Sequence, residues 1–185
     1  HGGTEMGQGL HTKVLGIAMR ELGLPADRVR LMPTSTDKVP NTSPTAASSG
    51  SDLNGMAARI AAETIRGRLV DFAAAAFGTA KDQIRFEGGQ VTIGNNVLAF
   101  ADLAKRAYLA RVSLSSTGYY ATPRIEWDRE KVKGRPFFYF AYGAACAEVT
   151  IDILTGEMRV DRVDILHDVG RSLNPAVDIG QIEGA

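Results

Sequence analysis

Three short stretches hold the residues best suited to chemistry. The first nine residues, HGGTEMGQG, contain four glycines and one neutral amide, Gln8, directly ahead of an apolar-periodic run. A second stretch sets Ala46, Ala47, Ser48, Ser49, Gly50 and Ser51 ahead of another such run. The third, HDVGRSLNPAVDIGQIEGA, carries Asp168, Arg171, the Asn174-Pro175 pair and Gln181. Glycine in a connection that leads into a helix lets a ligand approach the backbone closely or lets φ become positive. A helix N-terminus gathers unpaired N–H groups, a ready site for an anion. If the two helices lie side by side, each end offers about half a positive charge to one anion without any Lys or Arg. An ordinary turn also accounts for glycines of this kind.

Several other chemistries find little support. The glycines do not follow the G-x-G-x-x-G dinucleotide spacing, and no Gly-Lys-Ser/Thr completes a Walker loop. No serine sits in a G-x-S-x-G elbow. His1, His11 and His167 lack metal-ligand spacing and there is one cysteine, so neither a zinc site nor an internal disulfide is expected. His11 is read as a packing or hydrogen-bonding residue, and Cys146, in YGAACAEV, as a buried, inert thiol. Trp127 is read as a local anchor. An Asp168–Arg171 ion pair is expected to order its turn. Gln181 both donates and accepts, which suits the edge of a heterocycle, although on this stretch alone a solvated helix glutamine is the better reading. With 21 basic and 21 acidic residues, nothing suggests nucleic acid or a membrane surface. No basic n-region with an apolar h-region marks a signal peptide. The lone cysteine fits a cytoplasmic protein.

The 185 residues, 44% of them hydrophobic, suffice for one substantial core or two small ones. Leu10, Val14, Ile17, Ala18 and Leu22 recur at helical spacing, and Gly23 and Pro25 end that helix. RVRLMPT reads as a short strand, and STDKVPNTSPTAASSGSD as a long loop of the kind that often carries function. A long amphipathic helix follows from about Ser51, so the small polar run lies at its N-terminus. IRFEGGQVTIG reads as a hairpin about Gly88-Gly89, FADLAKRAYLA as a helix and RVSLSSTGYYATP as extended chain. WDREKVKGRP is a charged surface excursion. A second hairpin turns at LTGE, and its phase slip predicts a β-bulge near Asp161-Arg162. Pro175 opens a last helix. Helices and hairpin-joined strands segregate, which indicates an α+β fold with helices packed on mixed or antiparallel sheets.

Taken in order, HGGTEMGQGLHTK, VPNTSPTAASSGSDLNG, VSLSSTGYYATP, YFAYGAACAEV, DILTGE and DILHDVGRSLNPAVDIGQIEGA closely resemble the molybdopterin-binding part of xanthine dehydrogenases. The resemblance runs across residues 1–185 and is weakest around 66–100 and 127–135. It implies a fragment of the molybdenum cofactor-binding domain of a molybdenum hydroxylase, cut at both ends, since each end reads as interior sequence. It also implies a molybdenum–pyranopterin cofactor, molybdopterin, with or without an attached nucleotide. Met6, Gly7 and Gln8 would approach it, Ala47, Ser48, Ser49, Gly50 and Ser51 would wrap its pterin and phosphate end, and Gln181 would hydrogen-bond the pterin. Ala46 and Ala47 would leave room for a flat purine substrate. No residue here would ligate the metal, and none is the catalytic base: the family's glutamate lies beyond the counterpart of Ala185. The implied reaction hydroxylates hypoxanthine and xanthine to urate with oxygen from water, electrons leaving through 2Fe-2S clusters and FAD to NAD. Those groups belong to other parts of the enzyme, the FAD/iron–sulfur partner and the rest of the molybdenum subunit, so the isolated chain is expected to be inactive. The alternatives are an aldehyde oxidase-type hydroxylase and a non-catalytic anion-binding or assembly module.

Overall fold

The computed structural model describes residues 1–38, 44–46 and 48–184. They form two compact units, His1–Ala121 and Thr122–Ala185.

The first unit is built on one long helix. Helix α1 spans Leu10–Leu22, with Gly9 and Gly23 at its ends, both left-handed. Helix α2 spans Gly50–Phe77, about 42 Å at 1.5 Å per residue. A helix of that length needs two partners, and each half of α2 has its own. Its first half runs parallel to α1. Gly50 lies against Leu10 and Gly55 against Ile17, and Arg59 reaches Glu21 at 3.2 Å. Its second half is covered by strands β1 (Ile84–Glu87), β2 (Gln90–Ile93) and β3 (Asn96–Ala99) and by helix α3 (Phe100–Leu109). The three strands form one antiparallel sheet in sequence order. Leu69 and Ala73 from α2 meet Ile84, Val91, Ile93, Leu103 and Ala107 in the core. Each fully buried large aliphatic chain there stabilises the unit by about 1.5–3 kcal/mol. The β1–β2 turn docks on the end of α1, where the Gly89 amide donates to the Gly23 carbonyl at 2.7 Å.

Residues 112–120 follow α3 as an extended strap along α2. Burial alternates along it: Val112, Leu114, Ser116, Gly118 and Tyr120 are half-buried, and the odd-numbered residues are exposed. That is the period of a strand, although helix rather than sheet lies beneath it. Arg68 of α2 clamps the start of the strap, its guanidinium donating to the carbonyls of Ser113 at 3.2 Å and Ser115 at 2.9 Å. Gly118 crosses α2 so closely that a Cβ there would meet the Ala57 carbonyl.

The second unit contains a small hairpin of β4 (Glu126–Asp128) and β5 (Lys133–Arg135), and a long one of β6 (Tyr142–Ile151) and β7 (Met158–Asp168). The register of the long hairpin passes from Glu148↔Arg162 to Val149↔Val160, leaving Asp161 as the extra residue. The bulge read from the phase slip is therefore present. Helix α4, Pro175–Glu183, starts with Pro at its first turn, and the Asn174 side chain accepts from the Val177 amide at 3.2 Å.

Three expectations are corrected. RVRLMPT is no strand: Val29 has extended dihedrals, but among the described residues nothing pairs with the segment, and a strand exists only through its partner. Cys146 is exposed, because two strands alone have no second layer to bury either face. The turn after β7 is ordered through the backbone, with Asp168 accepting from the Gly170 amide at 2.7 Å, and not through an ion pair with Arg171. The charged excursion proves to be the β4–β5 hairpin, and β3 is an added strand.

Candidate functional site

The parallel packing of α1 and α2 sets their N-termini side by side. A direct bond joins the two loops ahead of them: the Thr4 amide donates to Thr45 Oγ1 at 2.8 Å. Gly3 is buried between them, where a Cβ would lie 2.5 Å from Leu10 Cδ2 and 2.8 Å from Asn54 Nδ2. Only a hydrogen fits there. Asn54 in turn donates to the Gly50 carbonyl at 3.0 Å, so its side chain lies under both loops.

The first loop is held from within. Glu5 Oε1 accepts from the Gly7 and Gly9 amides, each at 2.9 Å, and Oε2 accepts from the His11 amide at 2.9 Å. The His11 amide most, then those of Gly9 and Gly7, holds the Glu5 carboxyl below the ordinary carboxylate range, against an opposing push from burial. The Gln8 side chain closes the other flank: its oxygen accepts from the Met6 amide at 2.6 Å and its NH2 donates to the Thr4 carbonyl at 2.9 Å. His11 Nε2 lies 3.3 Å from the Gly3 carbonyl. A carbonyl only accepts, so Nε2 carries the proton. His11 is thus a hydrogen-bonding residue that also meets the His1 ring edge-on at 5.2 Å.

Two residues of this loop point away from these internal bonds. Met6 is 68% exposed. Gly7 sits at φ +101, and no atom of the described residues lies within 4 Å of where a Cβ would be. Its glycine is required by the dihedral and not by a neighbour.

The second loop is shaped by a left-handed residue. Ser48 has φ 56, uncommon for a residue with a Cβ and worth about 1 kcal/mol of strain. Ser49 follows as N-cap of α2, its hydroxyl donating to the Ala46 carbonyl at 3.1 Å, and among the described residues no side chain caps the helix. Gly50 and Ser51 open the helix. Ala46 and Ser48 are exposed; Ala47 lies outside the described residues. The strap ends at this same place. Partial burial first, then the nearby Asp52 carboxylate of the first turn of α2, raises the Tyr120 phenol above its usual range.

Met6, Gly7, Gln8, Ala46, Ser48, Ser49, Gly50 and Ser51 are therefore brought to one end of the first unit. Gln181 belongs to the second unit, exposed on α4. Sequence reasoning missed Glu5, Thr45, Asn54 and Tyr120. Glu5 carried a readable signal: a carboxylate just ahead of a helix that offers no acidic residue in its own first turn is placed to serve that N-terminus. The groups gathered here are amides, hydroxyls, a carboxamide and two carboxylates, Glu5 and Asp52, of which Glu5 is already bonded to three of the amides. Such a set suits an organic ligand with phosphate oxygens and a hydrogen-bonding heterocycle.

Residues 1–185 match the family model described as the molybdopterin cofactor-binding domain. The xanthine dehydrogenase/oxidase of Gallus gallus is 49% identical over all 185 residues, and the chain covers 12% of its length. A nicotinate hydroxylase of Emericella nidulans is 46% identical over 190 residues, covering the whole chain and 13% of that protein. Among solved structures, quinoline 2-oxidoreductase from Pseudomonas putida 86 superimposes with a TM-score of 0.77 at 26% identity, over 98% of this chain and 23% of that one. The chain thus spans about an eighth of the curated relatives it matches.

Proposed function

The chain belongs to the molybdopterin cofactor-binding domain family, and on that premise we propose that it supplies pterin and phosphate contacts in a molybdenum hydroxylase acting on purines. The observation that carries the reading is the pairing of two N-terminal loops at one end of parallel helices, with Gly7 turned to open space. Met6, Gly7 and Gln8 form one wall of the cofactor cradle, and Ser48, Ser49, Gly50 and Ser51 form the other. Ala46 and Ala47 keep the substrate side open because a methyl group leaves room for a flat ring. Gln181, on its own unit, serves as a further amide for the pterin. When bound, the molybdenum group supplies two-electron redox and oxygen-transfer chemistry. This chain's part is to bind and orient that group and to leave room for the ring. The catalytic base, the 2Fe-2S clusters and FAD belong to the remaining domains or subunits, in a cytoplasmic assembly that hydroxylates hypoxanthine or xanthine and passes electrons to NAD.

A second substrate reading has its own support: a nicotinate hydroxylase is nearly as similar as the xanthine enzymes. A pyridine ring is flat and electron-poor like a purine. Turnover of hypoxanthine against nicotinate by the full-length enzyme separates the two.

The cradle is tested at Gly7. In the full-length protein, Gly7→Val adds a branched side chain on the open side of the loop and imposes a dihedral that costs about 1–2 kcal/mol. Molybdenum per polypeptide is expected to fall about tenfold or more while the protein stays folded. Unchanged molybdenum content overturns the placement of this loop.

A further inference from the structure

Resting on that functional reading, we propose that Glu5 is a positioning residue for the cofactor loop, its ionised carboxylate being the group that gives Met6–Gly9 their shape. The argument is geometric. Three backbone amides from a five-residue stretch converge on one side chain, two on Oε1 and one on Oε2, all at 2.9 Å. The Gly7 and Gly9 amides fix the loop, and the His11 amide belongs to the second residue of α1. Glu5 therefore fastens the loop to the helix behind it. With those three donors turned inward, the outward surface of the loop is Met6 and the open side of Gly7. Gln8, bonded to Met6 and Thr4, closes the ring from the other flank.

Charge is essential to this arrangement, and shape alone does not suffice. A carboxylate accepts at both oxygens. A glutamine keeps one acceptor and turns an NH2 group toward an N–H donor, leaving that amide unpaired. An aspartate keeps the charge but is shorter by one methylene. If Glu5 acts through its ionised form, Asp retains more of the function than Gln; if it acts as a spacer, the order reverses.

The experiment uses the full-length protein with wild type, Glu5→Gln and Glu5→Asp, and reads molybdenum per polypeptide at neutral pH. Glu5→Gln is expected to retain about a tenth of the wild-type molybdenum or less, as expected for losing charge-assisted bonds, with Glu5→Asp between the two. A second readout needs no variant. Because the folded Glu5 carboxyl lies below its ordinary value, its contribution is complete above the ordinary carboxylate range and is lost as pH falls through the lowered value. Protection of the Gly7, Gly9 and His11 amides against hydrogen exchange in wild type should collapse only in that acid range. Glu5→Gln loaded to the wild-type level, Gln outperforming Asp, or amides whose protection ignores pH would each overturn the proposal. Wild-type protein free of molybdenum overturns the functional reading and this inference with it. A loaded wild type beside an equally loaded Glu5→Gln overturns the inference alone.

Discussion

Replacing Gly118 by alanine tests how closely the strap crosses α2 in the first unit. A Cβ at 118 would run into the Ala57 carbonyl oxygen and lie 2.9 Å from both the Ala57 carbonyl carbon and the Ala61 amide nitrogen. These are backbone atoms of a helix, and none can rotate aside, so the strap must retreat. Retreat loosens the packing of Val112 and Leu114 on the core and stretches the Arg68 bonds to Ser113 and Ser115. Overpacking of this kind costs about 1–3 kcal/mol. With a urea slope of about 2 kcal/mol per molar, the unfolding midpoint falls by about 0.5–1.5 M. Gly67→Ala is the internal control: Gly67 is exposed in the middle of α2 with nothing near its Cβ position, and alanine there gains about 1 kcal/mol of helix propensity. Circular dichroism in urea should move the two variants in opposite directions. Ultraviolet titration of the tyrosines adds a local readout, because a displaced strap returns the Tyr120 phenol from its raised value toward the ordinary one. A Gly118→Ala protein with an unchanged midpoint and an unchanged tyrosine titration would refute the close crossing.

Two further outcomes are expected. Cys146, exposed on β6, should take up one equivalent of a disulfide reagent in the native 185-residue chain; modification that requires denaturant would contradict its exposure. Molybdenum retention by the full-length protein should change by less than about threefold between 0.1 and 0.5 M salt, because contacts made by amides and hydroxyls are far less screened than a field of exposed charges. A steep loss with salt would assign the grip to Lys and Arg side chains instead.

The helices were legible because their signals are local. Leu10, Val14, Ile17 and Leu22 mark α1, and Gly23 with Pro25 marks its end. The hairpin about Gly88-Gly89 and the bulge at Asp161 followed from alternation and its interruption. What failed was non-local. RVRLMPT has the composition of a strand, but whether it becomes one depends on a partner that no local window reveals. Cys146 sits in an apolar run that predicts burial, yet burial is a property of the opposing layer. β3 escaped notice because Asn96–Ala99 is short and its apolar residues Val97, Leu98 and Ala99 are consecutive, so alternation never develops. At the candidate site the glycines and serines announced themselves by composition. Glu5 offered only its position, a carboxylate just ahead of a helix with no acid in its own first turn; which groups it holds was not legible, because its partners are backbone amides, which every residue possesses.

The parallel packing of α1 and α2 accounts for the acidic residues at the end of the first unit where the two loops meet. Two helices aligned in parallel bring their positive ends together, and like ends repel. Each end carries about half a unit of charge, and each has a carboxylate within its first turn or just ahead of it: Glu5 at α1 and Asp52 at α2. The two differ in how they are used. Glu5 is bonded directly to the amides of its helix end, whereas α2 begins without a side-chain cap among the described residues. The asymmetry leaves the start of α1 answered by the chain itself, while no side chain among the described residues caps the start of α2. A cradle of the proposed kind would discriminate by the geometry of its donors and by the space beside Gly7 more than by charge. On the proposed reading, that arrangement would suit a large neutral-edged heterocycle carrying a phosphate better than a free anion, which would meet two carboxylates on approach and have too few contacts to offset them.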